Sequence, residues 1–166
     1  MLKYKPYVLA LDLEGTLISN AVSQFSRPGL YNFLEYCHNN FCRIVIFTAV
    51  SELSFRKIAI ALADAGKVPS WFVNLEYINW DGKYKDLCFV PETKFTEVIL
   101  IDDREEYIKQ EQKNSGYTFL DMNTPILKMM MNSIKLFRNY RRLIERPNLS
   151  SIFFPKFGLY EFQSIG

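Results

Sequence analysis

The chain has little cysteine, little histidine and almost no excess of charge of either sign. Its three cysteines form no C-x-x-C pair, so neither a disulfide framework nor a thiolate metal site is expected, and reduced thiols fit best. The only histidine, His38, falls at the end of a predicted helix, where a structural role is expected. The 20 basic and 18 acidic side chains give no overall field that demands nucleic acid or a membrane.

Long hydrophobic runs are also missing near the start of the chain. The first apolar run, at 7–11, stops at Asp12, which makes it too short for a signal sequence or a membrane span. This pattern predicts a soluble cytoplasmic protein with no membrane partner.

What the sequence does contain is a core-forming composition. Of its 166 residues, 49% are hydrophobic and 16% aromatic, which fits one packed globular domain. We predict a domain over 1–146, followed by an aromatic-rich tail at 147–166 that docks on the domain or on a partner.

Apolar runs alternate with helical patterns along the chain. Strands are predicted at 7–12, 43–49, 70–78, 98–102 and 117–120, and helices at 28–40, 52–66, 104–114 and 124–145. Such alternation is typical of an α/β fold with a central parallel sheet.

Polar residues stand at the ends of several of these strands. They are Asp12 and Glu14 at the end of the first, Thr48 at the end of the second, and Asp102 and Asp103 at the end of the fourth, with Lys83 and Lys85 in the preceding GKYKDL stretch. Ligands collect at the carboxyl ends of parallel strands, and carboxylates, a hydroxyl and a lysine there suit Mg²⁺ and a phosphoryl group. The pattern therefore predicts phosphoryl transfer.

Some of these residues have an alternative structural role. Asp102 is equally well explained as an N-cap for the helix after it. Lys83 remains the second choice for the functional lysine. A group of basic residues at 135–146 is interpreted as a solvated helix face, with a weak patch for nucleic acid or an acidic partner as the alternative.

Five short motifs carry a family resemblance. They are DLEGTL at 12–17, RPGLYNFL at 27–34, VIFTA at 45–49, YKDL at 84–87 and LIDD at 100–103. In this order they resemble the haloacid dehalogenase superfamily of phosphotransferases, and within it the nuclear-LIM-interactor-like branch of small phosphatases, which includes enzymes acting on the RNA polymerase II tail. The IDDR string is also similar to the phosphatase half of phage polynucleotide kinase. The resemblance implies a three-layer Rossmann-like fold and a Mg²⁺-dependent phosphatase.

The resemblance also implies a role for each matching residue. Asp12 would attack phosphorus and form an aspartyl-phosphate, while Glu14 would donate a proton to the leaving oxygen and then activate water. Thr48 and Lys85 would contact the phosphoryl oxygens. The implied substrate-binding residues are Gly15, Thr16, Thr48, Ala49 and Lys85. The implied metal ligands are Asp12, the Glu14 carbonyl and either Asp102 or Asp103, of which Asp103 is preferred.

Two departures from the family pattern affect the predicted activity. Relatives have Asp where this chain has Glu14, and the extra methylene moves the acid by about 1 Å, enough to slow turnover. Leu17 and Arg27 are only ten positions apart, so neither a cap domain nor the longer insert of the polymerase-tail enzymes fits. An open site admits a phosphorylated protein or nucleic-acid end as readily as a small molecule.

Three functional hypotheses follow from the sequence. The first is an active Mg²⁺-dependent phosphatase, acting on a phosphoprotein or another phosphomonoester. The second is a binding module that keeps the fold but has lost turnover through Glu14. The third is a nucleic-acid end-processing phosphatase.

Overall fold

A parallel sheet forms the centre of the molecule. The structure, a computed structural model, describes residues 8–80 and 82–112, and the backbone alone at 117–119. The strands are β1 (Val8–Leu11), β2 (Arg43–Ile46), β3 (Glu76–Tyr77), β4 (Val98–Asp102) and β5 (Tyr117–Phe119), in the order β3-β2-β1-β4-β5. All four strand pairings are parallel, which confirms the predicted α/β class.

The central strand β1 shows why the strands of this sheet have continuous apolar sequences. Val8 pairs with Arg43 of β2 on one side and with Val98 of β4 on the other. Side chains alternate between the two faces, so Leu9 and Leu11 enter one core and Val8 and Ala10 the other. Because both faces are covered, every position of the strand is apolar.

Two α-helices cover the first face of the sheet. α1 (Leu30–Asn40) buries residues spaced three and four apart, namely Leu30, Phe33, Leu34 and Cys37. α2 (Glu52–Asp64) begins after Ser51, whose hydroxyl accepts a hydrogen bond from the Ser54 N–H. It ends before Gly66, whose positive φ of 65° suits glycine at a helix end. The opposite face is covered by the segment between β3 and β4 and by Ile108.

The predicted third strand is mostly a 3₁₀-helix. Ser70–Asn74 forms that helix, and only the two residues of β3 join the sheet. Phe72 is fully buried and meets Phe55 of α2 edge-to-face, with ring centroids 5.7 Å apart. The apolar residues of this stretch therefore pack on a helix, and a short apolar run does not distinguish that from a strand.

The predicted helix at 104–114 is also wrong over the residues described. Two short 3₁₀-helices, Glu105–Tyr107 and Gln110–Gln112, replace it. Between them the backbone at Ile108 forms a bridge with Lys85. The stretch has too few apolar residues to bury a helix face, so pairing with a neighbouring loop determines its conformation.

The loop between the first motif and α1 is short. Ile18 bridges Ser26 in antiparallel fashion, which closes a small turn over the residues between them. In this interval the chain contains no cap domain, as predicted.

Several predictions lie outside the described residues. These are the helix at 124–145 with its basic group, the aromatic tail and the domain boundary at 146. No helix in the described part of the chain combines the length and the apolar character that crossing a membrane requires.

Candidate active site

The site lies where the strand order reverses. β1 has β2 on one side and β4 on the other, so the carboxyl ends of β1 and β4 enclose the switch point of the sheet. Asp12 follows β1 directly, and its N–H donates to the Ile101 carbonyl at 3.0 Å. This bond aligns the Asp12 backbone with the end of β4, where Asp102 is the last residue of the strand and Asp103 follows it.

Three carboxylates meet at this point and form what we call the carboxylate cluster: Asp12, Asp102 and Asp103. One oxygen from each lies within 4.8 Å of the others. Asp12 and Asp102 are buried, whereas Asp103 is partly exposed. Buried like charges repel strongly, so the cluster requires positive charge.

Lys85 supplies part of that charge. Its Nζ lies 2.7 Å from Asp12 Oδ1 and also donates to Asp102 Oδ2, and the residue is only 2% exposed. Lys83 is exposed, with its ammonium 6.0 Å from the centre of the Tyr84 ring. Of the two candidate lysines, Lys85 is the one that the fold brings to the cluster.

The two consecutive acids at the end of β4 have different surroundings. Both oxygens of Asp102 are occupied, one by Lys85 and the other by the Arg104 N–H at 2.8 Å. Asp102 thus caps the following turn and also takes part in the cluster, so the two sequence interpretations describe the same residue. Asp103 accepts a hydrogen bond from the Thr16 hydroxyl at 3.3 Å and has no lysine contact among the described residues. This difference favours Asp103 as the acid left to bind a cation.

The pKa values of Asp102 and Asp103 reflect their burial and the close approach of the three carboxylates. Burial raises the pKa of Asp102 to about 6, with Lys85 opposing the shift and the Asp12 charge adding to it. Burial and then Asp12 also raise the pKa of Asp103. A second positive charge at the cluster would therefore be favourable. Closely spaced carboxylate oxygens are the donors that hard divalent cations prefer, so the residues present fit such an ion.

Thr16 and Gly15 shape the turn after β1. The Thr16 hydroxyl lies 3.1 Å from Asp12 Oδ2 as well as near Asp103, so it connects two members of the cluster. Gly15 has a φ of 74°, and a Cβ added there would lie 2.1 Å from Asp103 Oδ2. Both residues were predicted to bind substrate. The described contacts show the Thr16 hydroxyl bonded to two of the acids and Gly15 leaving room for Asp103, and the substrate role of both residues stays a prediction.

Glu14 lies apart from the carboxylate cluster. Its Oε1 accepts a hydrogen bond from the Ala21 N–H at 2.5 Å, so this carboxylate faces the loop that precedes α1. The backbone at Glu14 also bridges Ile18. In this conformation the acid that was predicted to transfer protons serves as a loop anchor.

Thr48 and Ala49 follow β2, next to the switch point. Thr48 is buried, and its hydroxyl accepts a hydrogen bond from the Val50 N–H at 3.3 Å. Its carbonyl accepts one from Trp80 Nε1 at 2.8 Å. Ala49 is exposed beside it. Among the described contacts, neither residue bonds directly to the carboxylates, so their substrate role stays a prediction.

Sequence reasoning missed two residues that support the site. Arg27 is only 8% exposed, and its guanidinium donates to the Gly15 carbonyl at 3.1 Å, which fixes the turn after β1. Trp80 holds the end of β2 through the Thr48 carbonyl. Arg27 is the first residue of the RPGLYNFL motif, and that position was the signal in the sequence that could have identified it. No sequence signal identifies Trp80, because its contact with Thr48 depends on tertiary structure alone.

Two curated relatives share part of this sequence. Each is named mitochondrial import inner membrane translocase subunit tim50, one from Aspergillus fumigatus and one from Emericella nidulans. Each is 31% identical over 119 residues, which is 67% of this chain but only 23% and 22% of the respective relatives. The chain thus spans less than a quarter of their length.

These relatives overturn one expectation. The sequence predicted a cytoplasmic protein, but both relatives carry names that place them in the mitochondrial inner membrane import machinery. The cytoplasmic prediction is therefore wrong. Its basis was the absence of a hydrophobic run at the start of the chain, and that absence does not report a compartment.

A family model covers most of the chain. The model for NLI interacting factor-like phosphatase matches residues 7–117, an interval that contains all five motifs and every residue of the carboxylate cluster. The match agrees with the parallel α/β sheet of the structure. This chain belongs to the NLI interacting factor-like phosphatase family.

Proposed function

We propose that this domain is a phosphatase that hydrolyses a phosphomonoester through an aspartyl-phosphate on Asp12. The observation that carries the proposal is the carboxylate cluster with Lys85 buried against it, at the switch point of the sheet. The phosphoryl-transfer transition state spreads negative charge over its oxygens, and a fixed, buried ammonium stabilises that charge.

The reaction divides into two steps. An Asp12 oxygen forms a bond to phosphorus while the bond to the ester oxygen breaks, and that oxygen takes a proton from Glu14. A water molecule then gives a proton to Glu14 and attacks phosphorus, which releases phosphate and restores the Asp12 carboxylate. The Glu14 carboxylate must break its hydrogen bond with the Ala21 N–H before it can perform either proton transfer. This requirement favours a slow enzyme.

Mg²⁺ is the cofactor that we propose for the cluster. Asp12, Asp103 and the Glu14 carbonyl would hold it, because Asp102 is occupied by Lys85 and the Arg104 N–H. When bound, Mg²⁺ neutralises phosphoryl oxygens and helps to orient them.

The short loop before α1 supports a macromolecular substrate. With only a small turn closed by Ile18 and Ser26, this loop itself is too short to form a cap over the carboxyl end of the sheet, and an uncapped site suits a phosphorylated protein. A phosphoprotein is the substrate class that we propose.

Hydrolysis of a generic aryl phosphate, with Mg²⁺ or with EDTA, tests this proposal. We expect Mg²⁺-dependent release of phosphate by the wild type and none by Asp12→Asn, which keeps the shape of the nucleophile but not its charge. Equal rates for the two proteins, or a wild-type rate unaffected by EDTA, would overturn the proposal.

A second candidate is a binding module without turnover. Its specific support is the Glu14 carboxylate, which is bonded to the Ala21 N–H rather than directed at the cluster. The names of the two relatives describe translocase subunits, so the corresponding role here is binding a protein within an import assembly. A wild type that binds Mg²⁺ and a phosphopeptide but releases no phosphate would favour this candidate.

A further inference from the structure

The loop that carries Lys85 is attached to the segment that follows β4. The Lys85 N–H donates to the Tyr107 carbonyl at 2.7 Å, and the backbones of Lys85 and Ile108 form an isolated parallel bridge. This segment starts directly after Asp103. The lysine and two of the three acids are therefore connected through one short stretch of backbone.

Side chains strengthen this attachment on the far side of Lys85. Asp86 Oδ1 accepts hydrogen bonds from the Cys88 N–H at 2.9 Å and from Gln112 Nε2 at 2.7 Å. Asp86 Oδ2 accepts one from Lys109 Nζ. Gln112 is only 6% exposed, and its Oε1 accepts from the Leu87 N–H at 2.9 Å.

We propose that Asp86 and Gln112 are positioning residues that hold the Lys85 ammonium between Asp12 and Asp102. Together with Lys109 they form what we call the Asp86 clamp. The inference rests on the proposed function only for the catalytic value of the ammonium. The positioning itself is a property of the fold.

The physical reason is the flexibility of lysine. Its side chain has four rotatable carbons and a compact charge, so its position is defined only if its backbone is fixed and its charge is paired. The clamp fixes the backbone directly after Lys85, and the Tyr107 carbonyl fixes it at Lys85 itself. Catalytic groups need placement within about 0.5 Å, which such a supporting layer provides.

Gln112 is the more decisive member of the clamp. Its amide donates to Asp86 and accepts from the Leu87 N–H, so it connects the two segments in both directions while buried. Lys109 has a side chain that is 43% exposed, and solvent screens its pairing with Asp86. We therefore expect the loss of Gln112 to matter more than the loss of Lys109.

Amine acetylation followed by mass spectrometry tests the proposal without any need for turnover. Lys85 is protected by burial, whereas Lys83 is exposed and serves as an internal reference. Alkylation of the fully buried Cys37 thiol reports global opening in the same samples. The variants are Gln112→Ala and Asp86→Asn, and the matched control is Gln110→Ala, an exposed glutamine of the same segment.

We expect Gln112→Ala to raise the acetylation rate of Lys85 relative to Lys83 by about tenfold, because local opening becomes easier. Asp86→Asn should give a smaller rise, since the amide oxygen still accepts from the Cys88 N–H. Gln110→Ala should match the wild type, and Cys37 alkylation should be unchanged in all proteins. An unchanged Lys85 rate in Gln112→Ala, or a rise in step with Cys37, would overturn the proposal.

The catalytic consequence is measured separately. If the wild type hydrolyses phosphate esters, Gln112→Ala should lower kcat with little change in KM, and Gln110→Ala should leave both unchanged. A wild type without hydrolysis would count against the proposed function. The acetylation result would still decide whether the clamp positions Lys85.

Discussion

At the scale of single residues, the site is defined by which oxygen each donor occupies. Asp102 has both oxygens engaged, Asp103 keeps capacity for a cation, and Glu14 is bonded to a loop. Three acids that look alike in the sequence thus have three different roles. Substitutions that preserve shape while removing charge separate these roles best.

Two substitutions of Glu14 separate proton transfer from loop anchoring. Glu14→Gln keeps an oxygen that can accept from the Ala21 N–H but can neither protonate a leaving group nor activate water, so with an aryl phosphate, whose leaving group needs little protonation, it should give one burst and accumulate phosphoenzyme. Glu14→Asp loses the loop bond through its shorter side chain, yet it should raise turnover or shorten the life of the aspartyl-phosphate. Rapid-quench kinetics and intact-protein mass measure both effects. Wild-type behaviour in both variants would remove Glu14 from the mechanism.

Replacing Lys85 should cost stability as well as activity. Lys85→Met leaves two buried carboxylates without their cation, so the free energy of unfolding should fall by about 3–5 kcal/mol. Lys83→Met should change it by less than about 0.5 kcal/mol, because that lysine is exposed. Urea unfolding in EDTA measures both. Adding Asp102→Asn to Lys85→Met should recover part of the loss, and a double variant no more stable than Lys85→Met would contradict this account.

At the scale of elements, the connections between strands contribute as much to the site as the strands themselves. The loop around Lys85 and the segment at 104–112 have little regular secondary structure, yet their bonds to each other bring the lysine to the acids. Their stability depends on a few polar contacts. The contacts of Asp86 depend on the ionisation of its carboxyl group.

The Asp86 contact predicts a pH-dependent contribution to stability. Burial opposes ionisation of Asp86, but hydrogen bonds from Lys109, the Cys88 N–H and Gln112 hold its pKa well below the ordinary value of 3.8. A group whose pKa is lower in the folded than in the unfolded chain contributes stability at pH values above its unfolded pKa. This contribution is lost as the pH falls towards the folded pKa. Wild type should therefore melt above Asp86→Asn near neutral pH, and the gap should shrink below pH 3.8. A gap that is constant across this range would contradict the assignment.

The contrast between the strands and the segments that connect them explains how much of this molecule the sequence predicts. β1 and β4 were placed closely, because a strand buried on both faces has a continuous apolar run and ends at its first acids. The helix expected at 104–114 is absent over the described residues 104–112, because the bridge between Ile108 and Lys85 is a contact with no local signal. Asp12 and Asp103 were predicted at the site from their positions at strand ends, and Lys85 from the YKDL motif, whereas Gln112 looked like any polar surface residue.

At the scale of the whole molecule, a cation bound at the proposed site in the carboxylate cluster would couple its binding to folding. A cation that binds only the folded chain stabilises it in proportion to the logarithm of its concentration. We expect Mg²⁺ to raise the melting temperature of the wild type and to have little effect on Asp103→Asn. Asp64→Asn, a change of an exposed acid on α2, should respond to Mg²⁺ as the wild type does. Equal shifts in all three proteins would place the ion elsewhere.

The alternation of side chains along β4 has one more consequence, for changes in chain length. Asp102 and Asp103 are neighbours, yet one contacts Lys85 and the other Thr16, because successive residues leave a strand in opposite directions. A single-residue insertion or deletion within β4 would exchange these directions and place each acid beside the wrong partner. We therefore expect the site to tolerate conservative apolar substitutions within the buried strand β4 better than any change in the residue count of that strand.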